Sequence, residues 1–113
     1  MTMPLRRRTL LAAPALFAAP AARAQTPYPG AQPVTIVLPY TPSGLPTVLG
    51  NMMTQGLAQR LGGTFVADFR PGASTSIGAR QVARARPDGT TLLMGSVTTF
   101  TVVPHVIRNP GFD

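Results

Sequence analysis

Two short Pro/Gly loops, Pro39 to Pro46 (PYTPSGLP) and Phe69 to Thr75 (FRPGAST), stand out for the chemistry that they could do. Each loop runs into a stretch that reads as a helix. The first backbone N–H groups of a helix have no partner within it, and the helix dipole makes that end partially positive. Each loop therefore leads into a ready-made anion site at a helix start. That is chemistry for capture. The parts for catalysis are scarce: the chain has no Cys, no Glu and no Lys, only three Asp (Asp68, Asp88, Asp113), and a single His at position 105. Thiolate chemistry, Cys-ligated zinc and a multi-histidine metal site are excluded. No paired carboxylates or phosphate-loop Lys can be assembled, so neither a metal nor a cofactor is expected.

The net charge of +7 on 113 residues suggests a nucleic-acid partner until it is located. Four of the ten Arg (Arg6, Arg7, Arg8, Arg23) fall in the first 24 residues. The rest of the chain keeps six Arg against three Asp, scattered along it and without interleaved aromatics. A phosphate-tracking surface clusters its cations, so no nucleic-acid partner is expected.

Residues 1–24 read as a secretory signal peptide. Met1 to Arg8 is a cationic opening, Leu10 to Ala22 an apolar run, and Ala22-Arg23-Ala24 a small-x-small cleavage site. The apolar run is interrupted by Pro14 and Pro20 and falls short of the roughly 20 residues that a membrane span needs. Arg7-Arg8-Thr9-Leu10-Leu11 also fits a twin-arginine export signal, and a plain basic opening accounts for the same residues. Either route puts the mature protein, starting at Gln25, outside the cytoplasm, in the periplasm.

The mature part alternates strand and helix. Residues 25–33 form an extended, weakly ordered lead-in. Val34 to Leu38 (VTIVL) is a continuous apolar β-branched run, the mark of a strand buried on both faces. Thr47 offers a cap for a helix to Leu61, with Leu49, Met53, Leu57 and Leu61 on one face. Gly50 and Gly56 weaken that helix and Gly62-Gly63 stops it. Thr64 to Asp68 is a second strand. Ser76 to Arg86 is a second helix with Ile77, Gly78, Ala79, Val82 and Ala83 facing inward, capped by Ser or Thr of the loop before it and ending in Arg84 and Arg86. Pro87-Asp88-Gly89 is a turn, Thr91 to Gly95 a third strand, and residues 98–107 are ambiguous, with Pro104 breaking them. The order β-α-β-α-β with short connections implies an α/β fold with parallel strands and right-handed crossovers. Ligands of such sheets bind beyond the carboxyl ends of the strands, where both loops fall. Three strands in 89 residues are few for a parallel sheet that needs cover on both faces, so the chain reads as the first part of something longer.

Taken together, PVTIVLPYTPSG (Pro33 to Gly44) and FRPGASTSIGARQVARARPDGTTLLMG (Phe69 to Gly95) resemble the Bug-type (TctC-like) extracytoplasmic solute-binding proteins of tripartite tricarboxylate transporters. The likeness runs from Pro33 to Asp113. It implies a type II periplasmic-binding-protein-like fold in two lobes, of which residues 34–113 are a partial first lobe, truncated before the second. It also implies a non-enzymatic protein that captures a carboxylate-bearing small molecule between two loops for the transporter's membrane subunits. Mapped here, the ligand-binding residues are Tyr40, Thr41, Ser43, Gly44, Gly72, Ala73, Ser74 and Thr75. The chain departs from the family pattern in those loops. Where relatives carry Gly-Gly it has Ser43-Gly44, and Ala-Gly-Gly becomes Ala73-Ser74-Thr75, so side chains enter loops whose backbone approaches the ligand. The usual Asn-Pro after the third strand becomes Val103-Pro104.

Plainer roles compete at each position. Ser43, Ser74 and Thr75 also suit caps and turns, and Tyr40 suits loop packing. Arg70 reads as a structural partner of Asp68, Asp88 as a turn residue, His105 as a surface residue, and Met52-Met53 as core. Two rival functions stay open. One is an exported nucleotide-binding α/β enzyme domain, although TPSGLP is not G-x-G-x-x-G and the next acidic residue, Asp68, lies 24 positions past Gly44. The other is a non-functional fragment of an interrupted reading frame.

Overall fold

The computed structural model describes residues 27–112; the segment read as a signal peptide, with its expected cleavage after Ala24, lies outside the described residues. The order is β1 (Val34–Leu38), α1 (Leu45–Leu61), β2 (Phe65–Phe69), a 3-10 turn (Ala73–Thr75), α2 (Ser76–Ala83) and β3 (Thr91–Leu93). A wide helical turn (Thr98–Val102) then runs into α3 (Val103–Val106). The three strands form one parallel sheet in the order β2-β1-β3, with Val34 opposite Phe65, Leu38 opposite Phe69, and Val37 opposite both Asp68 and Leu93. The fold class is α/β, as the sequence implies.

β1 is central because its sequence can be buried on both faces. Val34, Ile36, Val37 and Leu38 are all at or below 1% exposure. Each such side chain contributes about 1.5–3 kcal/mol relative to leaving it in water. Val34, Ile36 and Leu38 share one face with Phe65, Ala67 and Phe69, and α1 covers that face through Leu57 and Ala58. α2 packs on β1 and β3 from the opposite side, as right-handed crossovers to β2 on one flank and β3 on the other require.

Of the four α1 residues read as one inward face, Leu57 packs on the sheet while Met53 and Leu61 are exposed. Gly50 is buried, and a Cβ there would lie 3.1 Å from the Leu38 side chain. The glycine therefore permits close approach of helix and strand at the expense of helix propensity. Met52 and Met53 are 65% and 39% exposed, which corrects their assignment to the core. On α2 the buried residues are Ser76, Gly78 and Ala79, while Ile77 and Ala83 face outward. The helix ends at Ala83, so Arg84 caps it and Arg86 pairs with Asp88 in the turn, at 3.5 Å. Residues 98–106 are helical, with Pro104 in the first turn of α3, and Ile107 is extended.

The lead-in is tied down at one point. It turns at Tyr28–Pro29, and the Tyr28 hydroxyl donates to the Gly89 carbonyl at 2.9 Å, in the turn before β3.

Candidate ligand-binding site

Parallel pairing puts the loops after β1, β2 and β3 at one edge of the sheet. The first loop enters α1 through Gly44, whose φ of 56° and ψ of −133° suit glycine, and Pro46 occupies the first turn. α1 thus begins at Leu45, three residues earlier than a Thr47 cap would allow, and no side chain caps it. Thr47 Oγ1 is instead buried without a hydrogen-bond partner. Thr41 and Ser43 are exposed, and the Ser43 N–H donates to the Thr41 carbonyl at 2.7 Å. Tyr40 is half-buried and packs against the core cluster of β1.

The second loop has a less common geometry. Gly72 leads into three successive non-glycine residues with positive φ: Ala73 at 43°, Ser74 at 51° and Thr75 at 77°. Such a run is strained, most of all at β-branched Thr75. Ser74 is exposed. Thr75 stands at the cap position of α2 but does not cap it; its hydroxyl donates to Thr99 Oγ1 at 2.8 Å. The expected Ser or Thr cap of α2 is therefore absent, and Ser76 Oγ is buried without a partner.

Arg70 is engaged as its plainer role requires. Its Nε donates to Asp68 at 2.9 Å, and Gln81 Nε2 donates to the same carboxylate at 3.3 Å. Asp88 Oδ1 accepts from the Thr90 hydroxyl and N–H at 2.6 and 3.0 Å. Those bonds, helped by nearby Arg86, hold its carboxyl below the ordinary value of 3.8. His105 is exposed. Among the described residues, no three His, Cys, Asp or Glu groups come together as a metal site.

A cavity of about 310 Å³ opens at the carboxyl edge between β1 and β3. Tyr40 lines it from the end of β1, and Leu45, Pro46 and Leu49 from the start of α1. Met94, Gly95 and Ser96 complete it from the end of β3. Its position follows from the strand order, because the chain leaves β1 for β2 on one side and returns to β3 on the other. Outside the carboxyl ends at such a switch point a crevice forms. Leu45, Met94 and Ser96 are therefore additions to the residues read from sequence. Parallel strands were legible there, but nothing said that β3 would flank β1. A second, open groove of about 330 Å³ runs along α2 past Ile77, Arg80, Gln81 and Arg84. Arg80 is already committed there, donating to the Asn109 and Pro110 carbonyls.

With this geometry in view, the relatives can be placed. The family model "Tripartite tricarboxylate transporter family receptor" matches residues 50–113. The chain belongs to this family. A UPF0065 protein of Bordetella pertussis is 36% identical over 97 residues, covering 86% of this chain and 29% of the relative. A UPF0065 protein of Bordetella bronchiseptica is 37% identical over 108 residues, covering 94% and 32%. Among solved structures, the periplasmic binding protein BugD superimposes with a TM-score of 0.67 at 33% identity, over 72% of this chain and 27% of BugD. The chain thus spans under a third of the length of these receptor-family proteins, and its sheet is the same α/β framework found in BugD.

Proposed function

We propose that residues 34–113 supply one wall of a solute-binding site of the tripartite tricarboxylate transporter receptor family, taking a carboxylate-bearing small molecule in the periplasm. The loops Tyr40, Thr41, Ser43, Gly44 and Gly72, Ala73, Ser74, Thr75 form that wall, and the transporter's membrane subunits receive the solute. The observation that carries this reading is the pair of uncapped helix starts at one edge of a parallel sheet, α1 at Gly44 and α2 at Thr75. Neither start is capped by a side chain; at α2 the Thr75 and Ser76 N–H groups already donate to the Gly72 and Ala73 carbonyls, so α1 is the more open anion donor of the two. The family match and the likeness to the periplasmic binding protein BugD support the same reading. Calorimetry of the full chain with mono-, di- and tricarboxylates and their neutral amides tests it. Heat from carboxylates alone is expected, and amides binding equally well would overturn it.

The same reading includes a signal peptide over residues 1–24. Mass spectrometry of a periplasmic extract should find a mature form starting at Gln25; an intact residue 1–24 segment there would refute cleavage. If export uses the twin-arginine route, Arg7→Lys with Arg8→Lys blocks it, whereas unchanged secretion would leave the general route.

A further inference from the structure

We infer that the solute carries an apolar body behind its carboxylate, an aromatic ring or compact hydrocarbon, and that this body occupies the cavity between β1 and β3. The inference rests on the carboxylate-capture reading above and adds the class of solute.

The cavity walls decide the chemistry. At about 310 Å³ it lies at the small end of the 300–1,000 Å³ range typical of small-molecule sites. Leu45, Pro46, Leu49 and Met94 present hydrocarbon and a thioether, Tyr40 adds an aromatic ring, and no charged side chain lines it. A hydroxylated or multiply charged body entering here would lose its water against groups unable to replace those hydrogen bonds. An apolar body gains from the same exchange, and the soft, unbranched side chain of Met94 adapts to its outline.

Polar groups border it at the start of α1 and at the end of β3. The uncapped start of α1 at Gly44 adjoins Leu45 and Pro46 of the wall, and Thr47 Oγ1, buried and without a partner, belongs to the same first turn. Ser96 contributes a hydroxyl from the β3 side. A carboxylate held at the helix start would therefore project its substituent along the apolar wall. Leu45 is the residue that makes the wall apolar at the mouth. It is 67% exposed, so packing does not require its leucine.

The test uses the full chain with labelled Met methyl groups and three probes: phenylacetate, succinate and 2-phenylethanol. Phenylacetate should shift the Met94 methyl resonance and bind at least about tenfold more tightly than succinate, the difference expected from burying one ring. Leu45→Asn, at a position where folding is not at stake, should reduce that preference by a factor of about three to ten. Succinate binding as tightly as phenylacetate would overturn the apolar class while leaving carboxylate capture intact. Phenylethanol matching phenylacetate would uphold the apolar cavity and overturn carboxylate capture. An unmoved Met94 methyl with all three probes would overturn the inference outright.

Discussion

The Thr75 hydroxyl donates to Thr99 Oγ1 at 2.8 Å from a left-handed backbone, with φ of 77°. Thr99 is fully buried and also accepts from the Ser96 N–H at 3.3 Å. One hydroxyl thereby joins the loop after β2 to the segment after β3, across two of the three loops at the carboxyl edge. Thr75→Val keeps the branched shape and removes the donor. Because Thr99 retains its bond from Ser96, the loss should be that of one ordinary hydrogen bond, about 0.5–1.5 kcal/mol. Urea denaturation measures it, and an unchanged midpoint would mean that the bond contributes nothing.

Ser74 holds the neighbouring left-handed position, with φ 51° and ψ 44°. A non-glycine residue there costs about 1–2 kcal/mol, offset in part by the greater freedom of glycine in the unfolded chain. Ser74→Gly should therefore stabilise the fold by up to about 1 kcal/mol. Destabilisation on the same urea assay would show that the serine side chain makes a compensating contact.

Gly78 marks where α2 presses on the end of β1. A Cβ there would meet Pro39 Cβ at 2.9 Å and the Arg70 carbonyl oxygen at 3.3 Å. Proline ring and backbone yield poorly, so Gly78→Ala should destabilise by about 1–3 kcal/mol despite alanine's better helix propensity. A gain in thermal midpoint would mean that the helix can shift away at little cost.

The turn before β3 carries a pH dependence. Its hydrogen bonds from Thr90, with Arg86 nearby, lower the Asp88 pKa below 3.8 in the folded chain. A lowered folded value stabilises above the unfolded pKa, and that contribution is lost as pH falls through the folded one. Asp88→Asn should consequently lower the melting temperature near neutral pH, with the gap to the parent closing as the medium is acidified below pH 3.8. A gap that stays constant across that range would assign the effect to something other than the charge.

The sequence made the strands legible because their residues leave little choice. VTIVL is apolar and β-branched throughout, and β1 is found at those five residues. The parallel alternation and the two loops at one edge followed from connection lengths, and the Arg70–Asp68 pair from their spacing. Helix faces were harder. The apolar residues of α1 are spread widely round the helix beside the exposed Asn51, Gln55 and Gln59, so its leucines did not show that Gly50 would set the contact distance. Caps were misread for a related reason: Thr47 and Thr75 have capping side chains, but a Gly44-Leu45-Pro46 entry and a left-handed loop took their places. The cavity depends on β3 lying beside β1, a long-range pairing that no local pattern encodes.

The central claim is that the carboxyl edge of this sheet binds an anion through the two helix starts. Backbone amide chemical shifts of the full chain, followed while phenylacetate is raised to millimolar concentration, test it most directly. Movement is expected at the amides of Ser43 to Leu45 and Gly72 to Ser76, with the groove residues Arg80 to Arg84 unmoved. Movement centred on Arg80 and Arg84, with the two loops silent, would contradict it.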